Sequence, residues 1–146
     1  MNLKKAFDRI KKKLWSPKEL ERPDLSDEVL IVKPDEPLKE VVAKLAGGTN
    51  LLAAYVVEGG KPIGVVVKDD VLTRAVLVGK DLATLKVSDI MSTDLVTILD
   101  EADFRGMVEE FLEKSHMSQP IVDKEGKLRG VLTIFDIAKY LFQFLK

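Results

Sequence analysis

The sequence has no cysteine, one histidine and one tryptophan among 146 residues, and aromatics make up only 6% of it. Without cysteine there are no disulfides, thiolate metal ligands or thiol nucleophiles, a composition that fits a reducing compartment such as the cytoplasm. No apolar run approaches the ~18 residues that span a bilayer, and the N-terminal lysines alternate with apolar residues instead of preceding a hydrophobic block. Neither a transmembrane helix nor a signal peptide is expected. Hydrolase and nucleotide-loop signatures are also missing: there is no Gly-x-Ser-x-Gly, no His-Glu-x-x-His and no Gly-Lys-Ser/Thr loop, and Gly47-Gly48-Thr49 lacks the lysine and the spacing. What is present is a chain 46% hydrophobic, rich in Val, Leu and Ile, with enough apolar surface for one globular unit or two small ones sharing a core.

Charge is nearly balanced overall at −1 but unevenly spread. Residues 1–18 hold seven basic side chains against Asp8 alone, an excess of six positive charges, which leaves seven excess negative charges on the rest. Within this arm Leu3, Phe7, Ile10 and Leu14 recur at helical spacing, with the lysines opposite, and Ser16-Pro17 ends the helix. Its apolar stripe suits packing on the body or on a twin subunit. Docking on a partner protein, a membrane surface or nucleic acid are the other readings. A polar stretch with Pro23 follows as a linker.

Beyond it, one unit occurs twice. Asp35-Glu36 aligns with Asp100-Glu101, Val56-Val57-Glu58 with Ile121-Val122-Asp123, and Gly64 to Asp70 with Gly130 to Asp136, all at a shift of 65 or 66 positions. Each copy reads as a short strand (Val29 to Val32; Leu95 to Ile98), an amphipathic helix (about Leu38 to Ala46; Phe104 to Lys114), a hairpin across Gly59-Gly60-Lys61 or Lys124-Glu125-Gly126, and a second helix from Asp69-Asp70 or Phe135-Asp136. The acidic pairs at Asp35-Glu36 and Asp100-Glu101 suit helix starts. One copy of 50 to 60 residues buries a marginal core, so the two are expected to pack through their sheets.

The segments PIGVVVKDD, KVSDIMSTDLVTI and QPIVDKEGKLRGVLTIFDIAKYL resemble a tandem cystathionine β-synthase (CBS) domain pair, also called a Bateman module. The resemblance implies an α/β fold of two β-α-β-β-α repeats related by a pseudo-two-fold axis. The expected division is residues 1–24 as helix and linker, 25–85 as the first repeat and 86–146 as the second.

Thr133 and Asp136 follow a strand and open a helix, so a hydroxyl and a carboxylate emerge together beside free backbone N–H groups. A carboxylate can accept both hydrogen bonds of a ribose diol, and the threonine can bond sugar or phosphate. The resemblance makes this Ser/Thr-x-x-Asp pattern a ribose signature for adenosine ligands. A plain helix cap is the alternative, and the two roles can coexist. In the first copy Val67 replaces the threonine while Asp70 keeps the carboxylate and Lys68 adds a cation, giving a weaker second site with Thr97, Ser118, Gln119 and Pro120. By resemblance, Leu30, Leu51, Leu52, Ala53, Ala54 and Tyr55 wall the adenine of the Thr133–Asp136 site. Their composition suits a sheet core equally well. His116 is a candidate phosphate contact, weak and pH-dependent because an imidazole titrates near neutrality.

The function expected is a non-catalytic regulatory module, needing no cofactor and no metal, that binds AMP, ADP, ATP or S-adenosylmethionine between its repeats. The resemblance also implies a homodimer through helix faces carrying Val71, Leu72, Val76 and Leu77, and Ile137, Tyr140, Leu141 and Phe144, residues of which a part suits the intramolecular core instead. The competing reading is an interaction module with a vestigial nucleotide site, working through its basic arm.

Overall fold

Short β-branched runs build two sheets of the same design. A computed structural model describes residues 29–47, 51–114 and 116–143. The arm at 1–18, the linker to residue 24 and Phe144 lie outside the described residues. The first repeat runs β1 (Val29–Val32), α1 (Leu38–Gly47), β2 (Ala53–Glu58), β3 (Lys61–Val66) and α2 (Lys68–Val71). After a connection carrying α3 (Val87–Ile90), the second runs β4 (Ile98–Leu99), α4 (Phe104–Lys114), β5 (Ser118–Val122), β6 (Leu128–Thr133) and α5 (Ile134–Gln143). In each sheet the first strand is parallel to the second and the second antiparallel to the third. Even the irregularities repeat: both hairpins slip register at the same place, between Val56 and Val57 and between Ile121 and Val122.

Strand alternation sorts the side chains onto two faces. Val32, Ala54, Val56 and Val66 point toward α1, where Leu38, Val41 and Leu45 are buried, and toward Val71, Ala75, Val87 and Ile90. Ile98, Ile121 and Leu132 meet Met107, Phe111 and Ile137 in the second repeat. Each such Leu, Ile or Phe contributes about 1.5–3 kcal/mol by leaving water. The opposite faces meet each other: Ala53, Tyr55 and Val131 form a third cluster, with Val29, Val65, Val67, Leu95 and Leu128 around it. This seam joins the repeats through their sheets.

The hairpin tips cross-pack at the seam's edge. Gly59 and Gly60 (φ +59° and +78°) and Gly126 (φ +80°) adopt the left-handed turn conformation that a side chain resists. The Lys127 stem lies over Gly60, that of Lys61 over Gly126, and the Leu128 N–H donates to the Gly60 carbonyl at 2.9 Å.

Three local expectations change. The strand placed at Leu95 to Ile98 is instead Ile98–Leu99, because Leu95 turns into the seam cluster. The helix begun at Lys68 keeps α geometry for one turn and then widens into a π turn over Leu72–Val76, where the Leu77 N–H reaches the Leu72 carbonyl. The acidic pairs also have other work. Glu36 accepts from the Lys33 N–H, Asp100 and Glu101 face Arg129 and Lys124, and it is Asp103 that accepts from the Gly106 N–H at the start of α4. Of the apolar helix residues weighed for a dimer face or the core, Val71 and Ile137 lie in the cores of their own repeats. Leu72, Val76 and Leu77 remain at least half exposed.

Candidate functional site

A cleft of about 390 Å³ opens where the seam meets the start of α2. The first repeat contributes Leu51, Leu52 and Tyr55 from the start of β2, and Val65, Val67, Lys68 and Asp69 from the end of β3 into α2. The second contributes His116, Met117 and Ser118 at the start of β5. These three places come together because β2 and β5 each enter the seam from the same end as the β3 and β6 exits. Most of the wall is apolar, with one lysine, one aspartate and one imidazole as its titratable side groups besides the tyrosine. The dimensions and the mix of apolar wall with a few polar groups suit a small organic ligand.

Tyr55 and Ser118 share a hydrogen bond of 2.8 Å between their hydroxyls, across the two repeats. Tyr55 is only 2% exposed. Burial pushes its phenol up to about 12, against the smaller opposing effect of the Ser118 hydrogen bond, so it stays neutral under ordinary conditions.

Thr133 and Asp136 form a reciprocal cap at the start of α5. The Asp136 carboxylate accepts from the Thr133 N–H at 2.8 Å and from its hydroxyl at 3.0 Å, while that hydroxyl accepts from the Asp136 N–H at 3.1 Å. Both residues are buried. The helix-cap role is therefore present in the fold. Thr133 stands opposite Ser118 in the β5–β6 ladder, one strand from the cleft wall.

In the first repeat the Asp70 carboxylate accepts from the Val67 N–H at 2.9 Å and faces Arg74 at 3.7 Å. Arg74 in turn donates to the carbonyls of Ile90 and Met91, both at 3.1 Å, tying α2 to the connection. An arginine one turn after the aspartate was a readable i,i+4 signal. Val65 and Met117 also line the cleft without having been singled out, as do Val67 and Asp69, which the sequence marked for other reasons. The alternation that puts Tyr55 on the seam points to the two valines.

The expected adenine wall divides. Leu51, Leu52 and Tyr55 line the cleft beside Lys68, in the company of the first repeat's own turn. Leu30 and Ala54 pack into the first repeat's core, and Ala53 into the seam. Of the weaker set, Lys68 and Ser118 are at the cleft, Pro120 is buried opposite Val131, and Thr97 is exposed ahead of β4; His116, the candidate phosphate contact, also lines the cleft. Gln119 is 1% exposed and faces the core side, opposite Leu132, and neither atom of its amide has a hydrogen-bond partner among the described residues. A second hollow, about 470 Å³, lies at the other end of β2 among Lys33, Asp35, Glu58 and Lys86.

The profile of the family described as CBS domain matches residues 20–76 and again residues 87–143. An uncharacterised protein of Methanopyrus kandleri is 29% identical over 110 residues, which cover 75% of this chain and 56% of that one. The chain thus spans just over half the length of that relative. Among solved structures, a signal-transduction protein with CBS domains from Burkholderia ambifaria superposes with a TM-score of 0.68 at 20% identity, covering 81% of this chain and 85% of that one. The cytosolic domain of the Mg²⁺ channel MgtE, in complex with ATP, gives 0.61 at 24% identity, covering 80% and 46%. Those two likenesses concern the fold. Two profile matches that coincide with two folded repeats settle the family: the chain belongs to the CBS domain family and carries a tandem pair of its domains.

Proposed function

We propose that this CBS pair is a regulatory module that holds an adenosine-containing ligand in the seam cleft. The observation that carries the reading is the cleft itself, which joins the strand-to-helix turn of the first repeat, Val67 to Asp69, to the start of β5 in the second. A ligand there touches both repeats and so can bias their relative geometry, by as much as its affinity differs between two arrangements. Leu51, Leu52 and the Tyr55 ring offer apolar surface for a purine, and Asp69 and Asp70 offer carboxylates for a ribose diol. Among the described residues Lys68 and His116 are the basic groups at the cleft, which favours a ligand with little phosphate, such as adenosine, AMP or S-adenosylmethionine, over a triphosphate. Thr133 and Asp136 form the second site of the reading, where a ribose would exchange hydrogen bonds with the cap. Leu72, Val76 and Leu77, all at least half exposed, provide an apolar face for a homodimer, and the absence of cysteine suits a cytoplasmic protein.

Calorimetry and thermal shift with adenosine, AMP, ADP, ATP and S-adenosylmethionine test this, on the wild type, Lys68→Ala and Asp136→Asn. A ligand at ~100 times its Kd stabilises the fold by about 2.7 kcal/mol. If none of the five raises the melting temperature, the module is not an adenosine sensor. The vestigial-site reading, with the arm as the working part, then takes its place.

A further inference from the structure

The Tyr55–Ser118 hydrogen bond joins two side chains 63 positions apart, one from each repeat, and lies in the wall of the cleft. The internal symmetry does not require it. At a shift of 65, Tyr55 corresponds to Pro120 and Ser118 to Ala53, so the mirrored position carries neither hydroxyl. Among the described residues the seam around this pair is apolar packing of Ala53, Val131 and their neighbours, which is non-directional and tolerates sliding, and the other directional link between the repeats, from the Leu128 N–H to the Gly60 carbonyl, lies away at the hairpin tips. A hydroxyl pair does not, since separating the sheets leaves the buried Tyr55 hydroxyl without its partner in an apolar setting. Ser118 also faces Thr133 across the β5–β6 ladder, so the bond fixes the strand that flanks the second-repeat cap.

We infer that Tyr55 and Ser118 form a latch that holds the two repeats at the separation a cleft ligand requires. The regulatory half of this rests on reading the cleft as a ligand site; the latch itself does not. A ligand that hydrogen-bonds to the closed pair adds its own contacts to both repeats and reinforces that separation. Two hydroxyls in one hydrogen bond use one of their two protons, so the pair keeps a donor for a ring nitrogen or a sugar oxygen.

The cysteine-free chain allows the geometry to be measured directly. Spin labels at Lys39→Cys on α1 and Glu110→Cys on α4, both exposed, report the distance between repeats by double electron–electron resonance. The unliganded wild type should give one narrow distribution. Tyr55→Phe, which keeps the ring, and Ser118→Ala, which keeps the strand, should each broaden it, and Tyr55→Phe should weaken AMP binding about fivefold. Wild-type distances in both variants overturn the latch, even if AMP binding falls, since the hydroxyls would then act only as direct contacts. Broadened distances with no AMP bound by the wild type keep the latch and sink the ligand reading for AMP.

Discussion

Met91 lies directly over Gly64. A Cβ built on Gly64 would stand 2.6 Å from the Met91 Sδ, 3.0 Å from its Cγ and 3.1 Å from the Ser92 carbonyl oxygen. Ser92 and Val65 exchange backbone hydrogen bonds of 2.9 and 2.8 Å, so the connection is laid along the outer edge of β3 and the bare glycine is what lets it approach. Gly64→Ala is expected to destabilise the protein by about 1–3 kcal/mol through overpacking. Urea unfolding measures this, and Met91→Ala in the same chain should recover part of the loss. A loss unchanged by the second substitution would place the clash on the Ser92 backbone instead.

Arg74 links the same connection to α2 through the Ile90 and Met91 carbonyls and the Asp70 carboxylate. Its side chain is half exposed, so solvent screening weakens the ion pair and the carbonyl bonds dominate. Arg74→Ala should cost about 1–2 kcal/mol, whereas Arg129→Ala, whose partner Asp100 lies at 3.8 Å on the surface, should cost under about 0.5 kcal/mol. Equal losses in denaturant would remove the carbonyl bonds from the explanation.

The buried Tyr55 phenol gives the seam a pH limit. Its folded value, about 12, stands above the ordinary phenol value of 10.0, so the folded state holds the proton more tightly. The corresponding stability is full below pH 10 and is lost as pH rises from 10 toward 12, up to roughly 2–3 kcal/mol. Urea midpoints across that window, compared with Tyr55→Phe to subtract lysine titration, should fall more steeply for the wild type. Parallel curves would mean the phenol titrates normally.

Val67 occupies the place that Thr133 holds in the second repeat. Val67→Thr should complete the cap with Asp70, adding about 0.5–1 kcal/mol of stability, and place a hydroxyl at the cleft. On the ligand reading, adenosine or AMP should bind several-fold more tightly to this variant in calorimetry. Added stability without tighter binding would confine the pattern to capping. Thr133→Val should lose about 1–2 kcal/mol by the same reasoning.

Gln119 carries a buried amide with no partner on either atom among the described residues. Replacing it with leucine removes the unsatisfied groups and keeps the volume, so Gln119→Leu should raise stability by about 1–2 kcal/mol. Its first-repeat counterpart, Ala54, already lies in an apolar core. A drop in melting temperature would show that the amide is satisfied by a bound water or ligand.

The two-fold repeat, the fold of each unit and the family were legible because local patterning is enough to specify them. Alternating valines, paired helix stripes and glycine at the hairpin corners recur at one spacing. The helix at Phe104–Lys114 and the first strand fall where the periodicity puts them. Leu95 was misread because an apolar residue next to a strand looks the same whether it extends the strand or turns into a neighbouring sheet. Asp100 and Glu101 were misread as helix starters because carboxylates suit salt bridges as well as caps, and only the positions of Arg129 and Lys124 distinguish the two.

The candidate site divides in the same way. By itself the sequence determined that a hydroxyl and a carboxylate open α5, that Val67 breaks the pattern in the first copy, and that the chain is a CBS pair, since these depend on residue identity and spacing along the chain. Tertiary structure alone decided which repeat's turn joins Leu51, Leu52 and Tyr55 in a cleft, that Leu30 and Ala54 face away from it, and that Tyr55 reaches Ser118. Those outcomes depend on how two sheets are set face to face, a relationship between residues more than sixty positions apart that no local pattern encodes.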